Sequence, residues 1–215
     1  MVLRLALCIA VATAAVAIAE PQPSRAQNPV QTPPASAAEP ETTPAPPIAP
    51  AIPPPGVTTL PGDPFGENIT LTAKPMVYVK GTSTWDHAFD TIAKSLKTVK
   101  AYIDQEGLKA DGQPMTLFTA TDDNGFAFEA AIPVAEPPKN PPHGDIAVGT
   151  SPEGRALKFV HRGSYDGLDN TYEAIANYLD ERRLEAKDMF IEQYVTDPSS
   201  ANEDHLVVDI FVMVK

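Results

Sequence analysis

The chain has 215 residues, 24 of them proline, one cysteine and a formal net charge of −12. That charge argues against nucleic acid and anionic lipid as partners, because both require a basic surface. The single cysteine, Cys8, excludes an internal disulfide and any thiolate metal cluster.

The first segment, MVLRLALCIAVATAAVAIAE, carries Arg4 and then an apolar run ending in Ala17-Ile18-Ala19, with Ser24-Arg25-Ala26 as a second small-x-small site. This is the layout of a secretory signal peptide, expected over 1–26. An uncleaved anchor is the alternative, although a span needs about 20 apolar residues. Once the signal is removed, no stable membrane insertion is expected. A proline-rich stretch follows to residue 64, without aromatics or a hydrophobic period. Such a composition does not bury enough apolar surface to offset chain entropy, so 27–64 reads as an extended spacer. The expected location is therefore outside the cytoplasm, in the periplasm.

The folded part is expected over 65–215. Its first half opens with a strand at 77–81 and continues as a helix from Trp85 to Glu106, where Trp85, Phe89, Ile92, Leu96, Val99 and Ile103 form one apolar stripe. Gly107 ends that helix, and Thr82, Ser83 and Thr84 offer capping oxygens. Strands at 115–121 and 126–134 flank Asp123-Asn124-Gly125, a tight-turn sequence. The second half repeats the order. A strand at 157–163 leads to a helix capped by Ser164 or Asp166, with Leu168, Tyr172, Ile175 and Leu179 on one face, and strands follow at 190–195 and 205–214. The expected fold is α+β, a pseudo-twofold tandem repeat of β-α-β-β units (about 66–135 and 145–215) with antiparallel sheets and a ligand cleft between the halves.

Alternation assigns faces to the strands. Leu206, Val208, Ile210, Val212 and Val214 are placed under the helices, so Phe211 and Met213 look toward the cleft. Phe190, Glu192 and Tyr194 share one parity and are assigned to the cleft as well, on the premise that a carboxylate is intolerable under a helix. Leu117 and Glu129 hold the corresponding parity in the first half. Trp85 and Tyr165, each just after the first strand of its half, offer aromatic faces that serve equally as core anchors or as cleft walls. His87, His143, His161 and His205 are scattered without metal-ligand spacing, so neither a metal nor a cofactor is expected.

The segments RGSYDGLDNTYEAIANYL and FIEQYVTDP, with the closing IFVMV strand, resemble the GyrI-like small-molecule-binding domain, also called the AraC-type effector-binding domain. The resemblance covers about 66–215. It implies two repeats around a ligand cleft, with Glu192 in that cleft meeting cationic or polar ligands and Tyr194 sharing its wall. Some members are similar in fold but hydrolyse cyclopropane-containing toxins with a glutamate and a tyrosine. The helix-turn-helix domain that often precedes the module is replaced here by the signal and spacer, which places a transcriptional or gyrase-inhibiting role in doubt.

The leading expectation is an exported protein that binds an amphipathic ligand, a lipophilic cation among the candidates, through Glu192, Tyr194, Trp85, Tyr165, Phe190, Phe211, Met213 and Leu117. Two alternatives stand beside it. One is a hydrolase of reactive small molecules with Glu192 as base and Tyr194 or Tyr165 as proton donor. The other is an interaction module of the cell envelope with a protein partner.

Overall fold

The computed structural model describes residues 62–215. The expected signal peptide and all but the last three residues of the expected spacer lie outside them. Eight strands and two helices follow in the order β1 (Phe65–Leu71), β2 (Pro75–Thr84), α1 (Ala88–Glu106), β3 (Met115–Thr121), β4 (Gly125–Pro133), β5 (Ile146–Thr150), β6 (Gly154–Gly163), α2 (Leu168–Arg182), β7 (Ala186–Tyr194) and β8 (Leu206–Val214). A 3-10 turn precedes each helix, at Trp85–His87 and at Tyr165–Gly167. The class is α+β, and all pairings are antiparallel.

The helices form where apolar periodicity places them. α1 buries Ile92, Leu96, Val99 and Ile103, and Gly107 stops it in the left-handed conformation (φ 64°). α2 buries Leu168, Ile175 and Leu179. Ser164 rather than Asp166 caps the turn before it, its hydroxyl accepting the Gly167 N–H at 3.2 Å. The β3–β4 turn is held by Asp122, whose carboxylate accepts N–H bonds from Asn124 and Gly125 at 2.7 and 3.0 Å.

Strands β1 and β5 were not among the sequence expectations, and they close the structure. The sheet order is β1-β6-β8-β7-β3-β4-β2-β5. In a flat sheet β1 and β2 would stand about 29 Å apart at about 4.8 Å per strand. Yet only residues 72–74 connect them, a reach of about 15 Å at most. The sheet must therefore curl until its ends meet. The pairing shows how this happens. Leu71 faces Gly154 in the β1–β6 ladder and Pro75 faces Thr150 in the β2–β5 ladder, so the register carries across the break without a slip. Between them the Ser151 N–H donates to the Lys74 carbonyl at 2.8 Å, and the Lys74 N–H donates to the Ser151 hydroxyl at 3.0 Å. Residues 65–84 and 146–163 thus form one antiparallel ribbon that closes a six-stranded barrel with β4, β3, β7 and β8. At the β1 end, Gly66 has φ 82°, and its carbonyl accepts the Tyr178 hydroxyl from α2 at 3.1 Å.

Closure gives the sheet an inside and an outside. Leu117, Ile191, Phe211, Met213, Met76 and Met115 pack together on the inner face. Barrels this narrow are filled by side chains. The outer face carries Leu206, Val208, Ile210, Val212 and Val214, as alternation required, together with the buried sides of both helices. Phe190 and Tyr194 also lie on this outer face, and Glu192 sits opposite Ile210 in the β7–β8 ladder, which fixes it there too. The assignment of Phe190, Glu192 and Tyr194 to the face away from the helices is thereby corrected. α1 packs on β2 and β4, and α2 packs on β6, so the central strands β7 and β3 run along a strip between the helices. The carboxylate of Glu192 is thus on the helix side, where Tyr172 of α2 reaches it.

Leu117→Ala tests this placement. The residue is 2% exposed in the barrel interior, so its truncation is expected to cost about 2–5 kcal/mol, measured as a lowered urea midpoint with an unchanged m-value.

Candidate functional site

Glu192 lies at the middle of the strip, on β7, and is fully buried. Register brings three strands together there: Thr116 of β3 stands directly opposite Glu192 on one side and Ile210 of β8 on the other. Two phenols hold the carboxylate. Tyr172, reaching over from α2, donates to Oε1 at 2.7 Å, and Tyr194, two residues along the strand, donates to Oε2 at 2.7 Å. The Tyr194 oxygen also lies 3.2 Å from the Thr116 hydroxyl. A phenol has one proton to give, and the carboxylate is the stronger and nearer acceptor, so Tyr194 donates to Glu192 and accepts from Thr116.

Aromatic rings line the strip around this group. Phe190 packs edge-on against Tyr172 at 6.1 Å. Phe190 pairs across β7–β3 with Phe118, whose ring lies 5.1 Å from Phe126. Trp85 stacks on Phe126 at 4.8 Å, and its indole N–H donates to the Asp122 carbonyl at 2.9 Å. Tyr165 is buried at the start of α2, 5.4 Å from Phe89 of α1, where the two helical segments touch. Trp85, Phe89, Tyr172 and Phe190 are half-buried, so the wall around the acid is aromatic.

The sequence-derived site therefore divides. Glu192, Tyr194, Phe190, Tyr165 and Trp85 all lie on the outer face with the helices. Leu117, Phe211 and Met213 point into the barrel and cannot share a site with Glu192, because successive strand residues project to opposite faces and these three have the opposite parity. Glu129 also has that parity and is ion-paired with Lys80 at 3.2 Å, so it supplies no second carboxylate to the strip. Tyr172, Thr116, Phe118 and Phe126 join the site without having been singled out. In the apolar stripe of α2, Tyr172 is the one member with a hydroxyl, a readable signal. Thr116 is the polar residue of Met115–Phe118, but its role depends on a pairing between the two halves.

Two shallow hollows, of about 410 and 550 Å³, lie at the ends of β2, β3 and β4, lined by residues such as Lys80, Thr82, Thr121 and Glu129. Glu192 lines neither of them, and the charged side chains of the smaller one, Lys80 and Glu129, are already ion-paired with each other at 3.2 Å. Among the described residues, no group of three histidine, aspartate or glutamate side chains is placed to hold a metal ion.

Residues 67–215 match the GyrI-like small molecule binding domain. The chain belongs to this family. As a GyrI-like domain it is a small-molecule-binding module, and its fold is similar to three solved structures. EcmrR in its DNA complex is 14% identical with a TM-score of 0.60 over 70% of this chain and 57% of that one. This chain therefore spans little more than half of that EcmrR chain. The EcmrR C-terminal domain is 15% identical (TM-score 0.55, 70% and 97% covered), and a hydrolase from Listeria innocua is 12% identical (TM-score 0.50, 69% and 91%). At such identities the likeness is one of fold. No curated protein matches the sequence.

The Tyr194 phenol is pushed well above its ordinary value of 10.0, first by burial and then by the negative charge of Glu192, with Tyr165 adding to it and the Thr116 hydroxyl opposing it. The folded state thus keeps this proton where the unfolded chain releases it. Stability from this source is fully present below the ordinary value and is lost as pH rises above it. Tyr194→Phe is expected to flatten the alkaline fall in thermal midpoint, read as midpoint against pH for both proteins. Parallel curves would show that Tyr194 is not the linked group.

Proposed function

We propose that this domain binds an amphipathic cation on the aromatic strip between α1 and α2, with Glu192 as the counter-charge. One observation carries the reading: a glutamate at the centre of a strand, fully buried, with a phenol on each carboxylate oxygen. Removing an ion from water costs several kcal/mol. The two phenol bonds offset part of that cost, and a cation seated against the half-buried rings of Phe190 and Tyr172 supplies both charge and ring-face attraction. The formal net charge of −12 favours approach of a cationic ligand.

Hydrolysis would use the same acid. Both carboxylate oxygens already accept a phenol proton at 2.7 Å, so the arrangement fits a fixed counter-charge better than proton abstraction. We further propose that the protein works outside the cytoplasm, on the strength of the signal-like segment at 1–26.

Glu192→Gln tests the reading against a lipophilic phosphonium cation in titration calorimetry. Loss of one charge from a buried pair is worth roughly 2 kcal/mol or more, so affinity is expected to fall about thirtyfold while the circular dichroism spectrum stays unchanged. Equal affinity for both proteins would remove Glu192 from the account. Turnover of an electrophilic substrate, abolished in the same variant, would favour the hydrolase instead.

A further inference from the structure

We infer that Thr116 is a positioning residue for charge selection at the strip, acting through Tyr194 on Glu192. The inference rests on the proposed cation-binding role of that strip and adds the group that tunes it. Thr116 is fully buried on β3, while Glu192 and Tyr194 belong to β7. The β3–β7 ladder sets Thr116 directly opposite Glu192, so its hydroxyl emerges beside the carboxylate rather than beside solvent.

The direction of the hydrogen bonds follows from counting protons. The Tyr194 hydroxyl is 2.7 Å from Glu192 Oε2 and 3.2 Å from Thr116 Oγ1. Its single proton goes to the ionised acceptor, and the Thr116 proton then fills the lone pair of the Tyr194 oxygen. The result is a directed relay, Thr116 to Tyr194 to Glu192. Each bond in such a chain polarises the next, so the Thr116 hydroxyl strengthens the Tyr194 bond to the acid. It also removes the competing orientation in which Tyr194 would turn its proton away from Glu192. The carboxylate then presents one fixed arrangement of charge to whatever binds. Valine has nearly the shape of threonine but no hydroxyl, so packing is kept and the relay is cut.

Two readouts separate this role from a packing role. The first is the ratio of affinities for phenyltrimethylammonium and its uncharged isostere tert-butylbenzene, each titrated by NMR. Thr116→Val is expected to lower affinity for the cation about fivefold, the worth of one buried hydrogen bond, and to leave the neutral probe unchanged. Thr116→Ser is expected to stay within about twofold of wild type for both. The second readout needs no ligand. The hydroxyl proton of the fully buried Tyr194, assigned by its disappearance in Tyr194→Phe, is expected to move upfield in Thr116→Val and return in Thr116→Ser.

A loss that is equal for both probes would overturn the inference and leave Thr116 as a packing residue. If wild type does not prefer the cation, the cation-binding reading of the strip fails, and the hydroxyl signal alone decides the relay. A signal unmoved in Thr116→Val would overturn it, and a moved signal restored by serine would sustain Thr116 as the residue that orders Tyr194.

Discussion

The antiparallel ribbon of residues 65–84 and 146–163 is the constraint on which the rest of the structure depends. Without it, the β1–β2 and β5–β6 connections would have to span the width of an open sheet, which three residues cannot do. With it, the sheet becomes a closed ring whose inner face is sealed by its own side chains. Every polar group on an inward-facing position then has to lie near an open end or be ion-paired, as Lys158 is with Asp209 at 2.7 Å and Lys80 is with Glu129. Glu192, whose two carboxylate oxygens are held by phenols, lies on the outer surface instead.

On that surface the helices compete for space. α1 needs β2 and β4 to bury Ile92, Leu96 and Val99, and α2 needs β6 to bury Ile175 and Leu179. The strands at the meeting of the two halves, β7 and β3, are left as floor. A strip floored by strand and flanked by helices, with Glu192 and Thr116 fully buried in it, is dry enough to strengthen electrostatics. The aromatic residues there bury area while offering ring faces and hydroxyls, which a purely aliphatic strip would lack.

How much of this could be read from the sequence depended on whether the deciding contacts were local. The helices were legible because Ile92, Leu96, Val99 and Ile103 repeat at helical spacing. The β3–β4 hairpin was legible from Asp123-Asn124-Gly125, and the set of β8 residues facing the helices was legible from its unbroken alternation. β1 and β5 were missed because each pairs with the first strand of the opposite half, far along the chain, and neither FGENITL nor IAVGT carries a strong period. The placement of Glu192 failed for a physical reason. The premise that no carboxylate sits on the helix-facing side held for strands beneath a helix, such as β2 and β6. It did not hold for β7, where a phenol from α2 and one from the strand itself bond the acid. One parity error then carried Phe211, Met213 and Leu117 into the site and left Tyr172 and Thr116 out.

A strand can carry a glutamate at its centre when its neighbours on both sides and above provide for it. Here Tyr194 comes from the same strand, Thr116 from the adjacent one and Tyr172 from a helix, so the group is assembled from both halves of the domain. The second half supplies the acid and both phenols, from β7 and α2, and the first half supplies, from β3, the threonine that meets Tyr194. The same pairing that joins the halves therefore orders the carboxylate. A change that loosened the β3–β7 ladder would alter the field at the strip before it exposed the barrel interior. The two halves meet there along one short ladder, Met115–Phe118 against Phe190–Gln193, and the order of the carboxylate depends on it. Anything that binds Glu192 more tightly when that ladder is formed must also stabilise it.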